Sequence, residues 1–88
     1  MKRNEEFLLR SVADTLVLVP VGTAMNSFGG MITLNATGAF LWETLETDQS
    51  VESLTKALTD RYDVDEQKAR QDAKAFVETL LPTGAILE

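Results

Sequence analysis

The 88-residue chain contains no cysteine and no histidine. That removes disulfides, thiolate metal ligands, iron–sulfur ligation, cysteine nucleophiles and imidazole acid–base catalysis together. Carboxylate, lysine, serine and threonine side chains remain, but no grouping of them stands apart from the surface charge of an ordinary small domain. No catalytic residue, metal site or cofactor site is therefore assigned. The chemistry left to the chain is non-covalent: main-chain hydrogen bonding along a strand, apolar contact, and ion pairing by a few basic side chains.

Three groups of residues could supply it. The strand pattern Met31, Ile32, Thr33, Leu34 reads either as an ordinary sheet edge, kept short so that it does not recruit other chains, or as an edge whose N–H and C=O groups accept a guest peptide as an added strand. The residues alone favour the ordinary edge. If the N–H of Ile32 points outward, a proline there would remove guest binding while an edge strand tolerates it. Ala69 and Ala73, one helical turn apart, either permit close packing or floor a shallow groove. Arg70 and Lys74 share one flank of the same helix beside Val77 and Leu81; they read as a solvated flank or as a rim for acidic guest residues, each exposed pair worth only ~0.2–1 kcal/mol. Trp42 and Phe40 read as core.

The elements that must position these residues follow from local pattern. Phe7 to Val21 is two β-prone runs split by Ala13-Asp14, a hairpin. In its second run Val17, Val19 and Val21 alternate with Leu16, Leu18 and Pro20, so both faces are apolar and one must lie under helices. Ser11 and Asp14 have capping-box spacing, but no helical period follows them. Gly29-Gly30 reads as a two-residue hairpin turn into the third strand, Met31 to Leu34, with Met25 to Phe28 extending the sheet on the other side. A three-stranded antiparallel meander results.

Asn35 then caps a first helix, to about Glu46, with Phe40, Leu41, Trp42 and Leu45 apolar; Gly38 weakens it by ~1 kcal/mol relative to alanine and lets another backbone come close. Asn35-Ala36-Thr37 also fits a glycosylation pattern, but the cap is the better reading. Ser50 caps a second helix carrying Val51, Leu54, Ala57, Leu58 and Tyr62. Asp65 caps a third and longest helix, where Ala69, Ala73, Phe76, Val77 and Leu80 form a narrow seam. Pro82 and Gly84 end it, and Ala85-Ile86-Leu87 is an apolar tail that packs back. The architecture expected is one α+β domain over residues 1–88.

Composition narrows the partners. A hydrophobic share of 44% with 25% charged residues is globular, and the core must be small. The net charge of −6 is uneven: residues 1–42 carry three basic and three acidic side chains, residues 43–88 five and eleven. Nucleic acid is a poor partner for such a surface. A winged-helix regulator placing the third helix in the major groove is the weaker alternative, because Lys68 lies on the opposite flank from Arg70 and Lys74, and Asp65, Glu66, Asp72 and Glu78 share the helix. Apart from Met1, only three apolar residues precede Arg10, too few for a signal-peptide core or a membrane span, so a cytoplasmic location without membrane contact is expected. A homodimer pairing through the same strand edge is a further possibility.

Three short strands, then Leu34-Asn35-x-Thr37-Gly38-x-x-x-Trp42, then Leu58-x-x-Arg61-Tyr62-Asp63-Val64-Asp65, then Phe76-Val77-x-x-Leu80 and Gly84-Ala-Ile-Leu87 resemble the PqqD family over about Phe7 to Leu87. The resemblance implies a non-catalytic domain with a winged-helix-like core that recognises ribosomally made, post-translationally modified peptides. In pyrroloquinoline quinone (PQQ) biosynthesis the namesake acts as a chaperone, presenting the precursor peptide to a radical S-adenosylmethionine enzyme. By that likeness the leader segment of a precursor would add to the third strand beside the third helix. Met31, Ile32, Thr33 and Leu34 would form one wall, facing Ala69, Arg70, Ala73, Lys74 and Val77. The resemblance tips the strand toward the accepting edge. The longer connection from Gly22 to Gly30 departs from the namesake and points to another modified-peptide pathway.

Overall fold

The computed structural model describes residues 1–27 and 29–88. A two-residue strand, β1 (Lys2–Arg3), precedes the expected hairpin of β2 (Phe7–Val12) and β3 (Thr15–Pro20). Ala13 and Asp14 join the two with φ of 49° and 69°. Positive φ at both central residues defines a two-residue type I′ hairpin turn, one of the turns whose twist matches the flanking strands. Alanine has no side-chain compensation for this conformation, which costs an L-residue roughly 1–2 kcal/mol.

The connection to the third strand differs from the sequence expectation. Ala24–Ser27 is a short helix, α1, and β4 (Ile32–Leu34) pairs antiparallel with β3 across a longer link. Met25 to Ser27 therefore do not extend the sheet, Gly29-Gly30 is not a two-residue hairpin turn between paired strands, and Met31 lies just outside the strand. Phe28, the end of the proposed extension, lies outside the described residues. The reason is visible at Glu6. Its carboxylate accepts the Thr23 N–H at 3.0 Å and the Thr23 hydroxyl, turning the chain into α1 as it leaves the sheet. Gly22 stands at φ 61°, a conformation that favours glycine, and a Cβ there would push the Glu6 carboxylate off its bonds to Thr23.

The helices form where the caps place them. Asn35 Oδ1 accepts the Gly38 N–H at 2.7 Å and opens α2 (Ala36–Thr44). Ser50 and Ser53 make a reciprocal capping box for α3 (Val51–Arg61). Asp65 accepts the Lys68 N–H at 2.8 Å at the start of α4 (Glu66–Leu80). A 3₁₀ turn (Leu81–Thr83) with Pro82 follows, and Gly84 reverses the chain at φ 85°. The apolar tail packs back as expected, with Ala85 and Ile86 buried. It does so as β5 (Ile86–Leu87), which pairs antiparallel with β1.

The main sheet has the order β2-β3-β4. Leu16 and Leu18 stand opposite Leu34 and Ile32, and Phe7 stands opposite Pro20, so these side chains share one face. That face joins Leu41, Trp42, Leu45, Leu54, Leu58, Ala69, Ala73, Val77 and Leu80 in a single core. The fold is thus α+β, a three-stranded antiparallel sheet with three main helices, as the sequence led us to expect. No described helix is long and apolar enough to cross a membrane.

Replacing Ala13 by glycine relieves the left-handed strain and should raise unfolding free energy by up to ~1 kcal/mol, read from urea denaturation. The Thr23 bonds hold the Glu6 carboxyl below its usual range, the hydroxyl contributing most. Their contribution is therefore present above the ordinary carboxylate pKa and lost as pH falls through the depressed folded value. An NMR titration should show the Thr23 amide shift following Glu6 with a midpoint below that of a free glutamate, and Glu6→Gln should abolish that step.

Candidate functional site

Which main-chain groups of β4 are free follows from the alternation of an antiparallel ladder, in which every second residue bonds its neighbour and the others point away. The two-residue turn makes Val12 and Thr15 a hydrogen-bonded pair. The bond from Val21 N–H to the Glu6 carbonyl, 2.7 Å, lies in the same phase. Thr15, Val17, Val19 and Val21 therefore bond toward β2, and Leu16 and Leu18 toward β4. Their partners Leu34 and Ile32 spend their main-chain groups on β3. Thr33, between them, presents its N–H and C=O to the open side. Among the described residues, β4 has no strand on that side. The open stretch ends at Asn35, whose carbonyl accepts the Ala39 N–H at 2.9 Å.

Beside this edge runs a groove of about 410 Å³. Ile32, Thr33, Leu34 and Asn35 line one side, Thr37, Gly38 and Leu41 of α2 line the floor, and Lys68, Asp72, Ala75, Phe76 and Thr79 of α4 line the other side. Gly38 brings the floor close. A Cβ there would stand 3.2 Å from the Asn35 cap oxygen, 3.5 Å from the Phe76 ring and 3.6 Å from the Leu34 Cβ, so the half-buried Phe76 lies close beside the helix at this point. Among the described residues, the only charges on the lining are Lys68 and Asp72, joined by an ion pair of 2.8 Å.

The sequence-derived wall is thus divided. Ile32, Thr33 and Leu34 line the groove; Met31 is 61% exposed just before the strand. Ala69, Ala73 and Val77 are buried in the core seam, away from the groove lining. Arg70 is turned toward α3, where it pairs with Glu52 at 3.8 Å and with Glu66 of its own helix at 3.1 Å; Lys74 is exposed and is not part of the lining. The face of α4 that meets the groove is the opposite flank, Lys68, Asp72, Ala75 and Thr79, whose spacing of four, three and four is that of one helical stripe. Sequence reading named Lys68 and Asp72 only as charges unsuited to DNA. The period of α4 shows which stripe is buried, and the stripe has two flanks.

Comparison with known proteins gives the family and the fold. The model of the family described as "Coenzyme PQQ synthesis protein D (PqqD)" matches residues 15–86. The solved structure of "TbiB1 in Complex with the TbiA(beta) Leader Peptide" is 25% identical, covers 97% of this chain and 93% of its own, and superposes with a TM-score of 0.73. A lasso peptide synthetase B1 complexed with the leader peptide is 24% identical, with coverages of 99% and 96% and the same TM-score, a likeness of fold. No curated protein matches the sequence at a significant level.

The ladder phase makes a direct prediction for hydrogen exchange. The Thr33 amide should exchange rapidly, and those of Ile32 and Leu34 should be protected by β3. A protected Thr33 amide in the free protein would mean that the open edge does not exist.

Proposed function

Because the chain belongs to the PqqD family, we propose that it is a peptide-recognition domain: it binds the leader segment of a ribosomally made precursor by adding it as a strand to β4, and delivers it to a separate modifying enzyme. The observation that carries this reading is the coincidence of an unpaired Thr33 main chain with an apolar groove on the same side of the sheet. A guest strand there exchanges main-chain hydrogen bonds with Thr33. Its alternate side chains enter the groove against Phe76, Leu34 and Leu41, and the others face solvent. No bond-making step is assigned to the domain. Its contribution is to raise the concentration of substrate at the enzyme.

Two structures similar to this chain are complexes with leader peptides, which supports the class of guest. For the receiving enzyme, the family relationship suggests a radical S-adenosylmethionine maturase, and the neighbours suggest lasso peptide machinery. Pull-down with each class of enzyme, in the presence and absence of precursor, separates these. A second copy of the chain is an alternative occupant of the same edge, in competition with peptide; sedimentation with and without leader resolves it.

The groove places constraints on the interaction. With Lys68 and Asp72 neutralising each other and Arg70 engaged elsewhere, affinity should depend weakly on salt, and Arg70→Ala should leave it nearly unchanged. Thr33→Pro removes the outward donor without breaking a bond to β3, and should lower leader affinity by about tenfold or more with little change in unfolding midpoint. Ile32→Pro should instead destabilise the sheet. Fluorescence titration of labelled leader checks both; a folded Thr33→Pro variant that binds normally overturns strand addition.

A further inference from the structure

Among the described residues, each edge of the main sheet has a cleft beside it. Opposite the β4 groove, a second cleft of about 450 Å³ flanks β2. By the same ladder phase, Leu9 and Ser11 point their main-chain groups away from β3 on this side. The two edges are furnished differently. The β4 groove is mostly apolar, whereas Arg3, Glu5, Arg10 and Glu43 crowd the β2 cleft around the buried Trp42. The outward carbonyl of Leu9 is already taken, accepting a bond of 3.0 Å from the Arg10 guanidinium. Arg10 itself stands opposite Val17 on the outer face of the sheet, so its side chain wraps round the edge to reach that carbonyl.

We propose that Arg10 confines strand addition to one edge of the sheet, by occupying the Leu9 carbonyl and setting a charge where an incoming strand would lie. The inference rests on the reading of β4 as a strand acceptor. The strand that Arg10 excludes is the β4 of a second copy. The donor and acceptor of Thr33 complement those of Leu9, and a β2-to-β4 contact joins two different surfaces, so it propagates head to tail instead of closing into a dimer. A chain with one open edge carries a single guest and cannot polymerise in this way.

The test compares wild type, Arg10→Ala, and Arg10→Ala combined with Thr33→Pro, by sedimentation velocity over a wide concentration range without peptide. Circular dichroism verifies the fold of each variant. Arg10→Ala should self-associate about tenfold or more tightly than wild type, and adding Thr33→Pro should return it to wild-type behaviour. Arg10→Ala sedimenting as wild type overturns the proposal, as does association that persists in the double variant. Leader titration of wild type and Arg10→Ala keeps the two ideas apart. Normal peptide binding without self-association removes only the role of Arg10. Thr33-dependent self-association in a protein that binds no leader leaves the guarded edge standing and removes the leader-binding role.

Discussion

The arrangement depends on the phase of one hydrogen-bond ladder, set by the two-residue turn at Ala13 and Asp14. In a strand, side-chain direction and hydrogen-bond direction both alternate with a period of two and are locked together. The residues of β4 that send side chains into the core, Ile32 and Leu34, are thus the ones whose main-chain groups bond to β3. The residue between them, Thr33, is exposed on the outer face and free along the edge. Core and edge are one choice. A one-residue slip between β3 and β4 would put Thr33 into the core and withdraw the free donor and acceptor at once. Burial of Leu34 and Leu18 therefore fixes the edge chemistry.

An open edge also has to be kept from the chain's own loose ends. The apolar tail after Gly84 is a natural competitor for β4. It is held elsewhere by a set of bonds to the N-terminal segment: the Asn4 N–H donates to the Ala85 carbonyl at 2.8 Å, the Asn4 side chain donates to the Gly84 carbonyl at 3.0 Å, and Arg3 and Lys2 pair with β5. Arg3 N–H also bonds the Leu45 carbonyl after α2 at 3.0 Å. The contacts with the tail join segments eighty or more residues apart, and that with Leu45 joins segments 42 apart, so local pattern carries no sign of them. The same holds for Glu6 and Thr23, whose bonds turn a stretch of mixed character into α1.

What was legible in the sequence is what acts over three or four residues. Asn35, Ser50 and Asp65 cap the helices that follow them because each side chain reaches a backbone N–H within one turn. The hairpin at Ala13-Asp14 and the stop at Pro82-Gly84 are equally local. The apolar seam of α4 was legible too, and Ala69, Ala73 and Val77 are buried along it. Their small side chains belong to the core that includes Leu54 and Leu58 of α3. What periodicity could not supply is the side on which the sheet edge lies. Arg70 faces α3, where Glu52 neutralises it, and Lys68 faces the groove. That distinction depends on where two other elements sit, which no single helix encodes.

The charge distribution then bears on how selectivity arises. Main-chain bonds to Thr33 are available to any extended peptide, so they supply affinity without discrimination. Ion pairing contributes little to it, since among the described residues the lining's only charges, Lys68 and Asp72, are paired with each other. For the proposed guest, discrimination would fall to shape: how well alternate side chains fit between Leu34 and Phe76 above the bare backbone of Gly38. Gly38 costs helix stability; a Cβ there would meet the Phe76 ring at ordinary contact distance but would crowd the Asn35 cap oxygen at 3.2 Å, so the tighter constraint on this position is the cap and not the ring. Selectivity of this kind is modest for each methylene gained or lost, ~1–3 kcal/mol. On the proposed reading, a domain built this way would separate cognate leaders from others by summing two or three such contacts along a short strand.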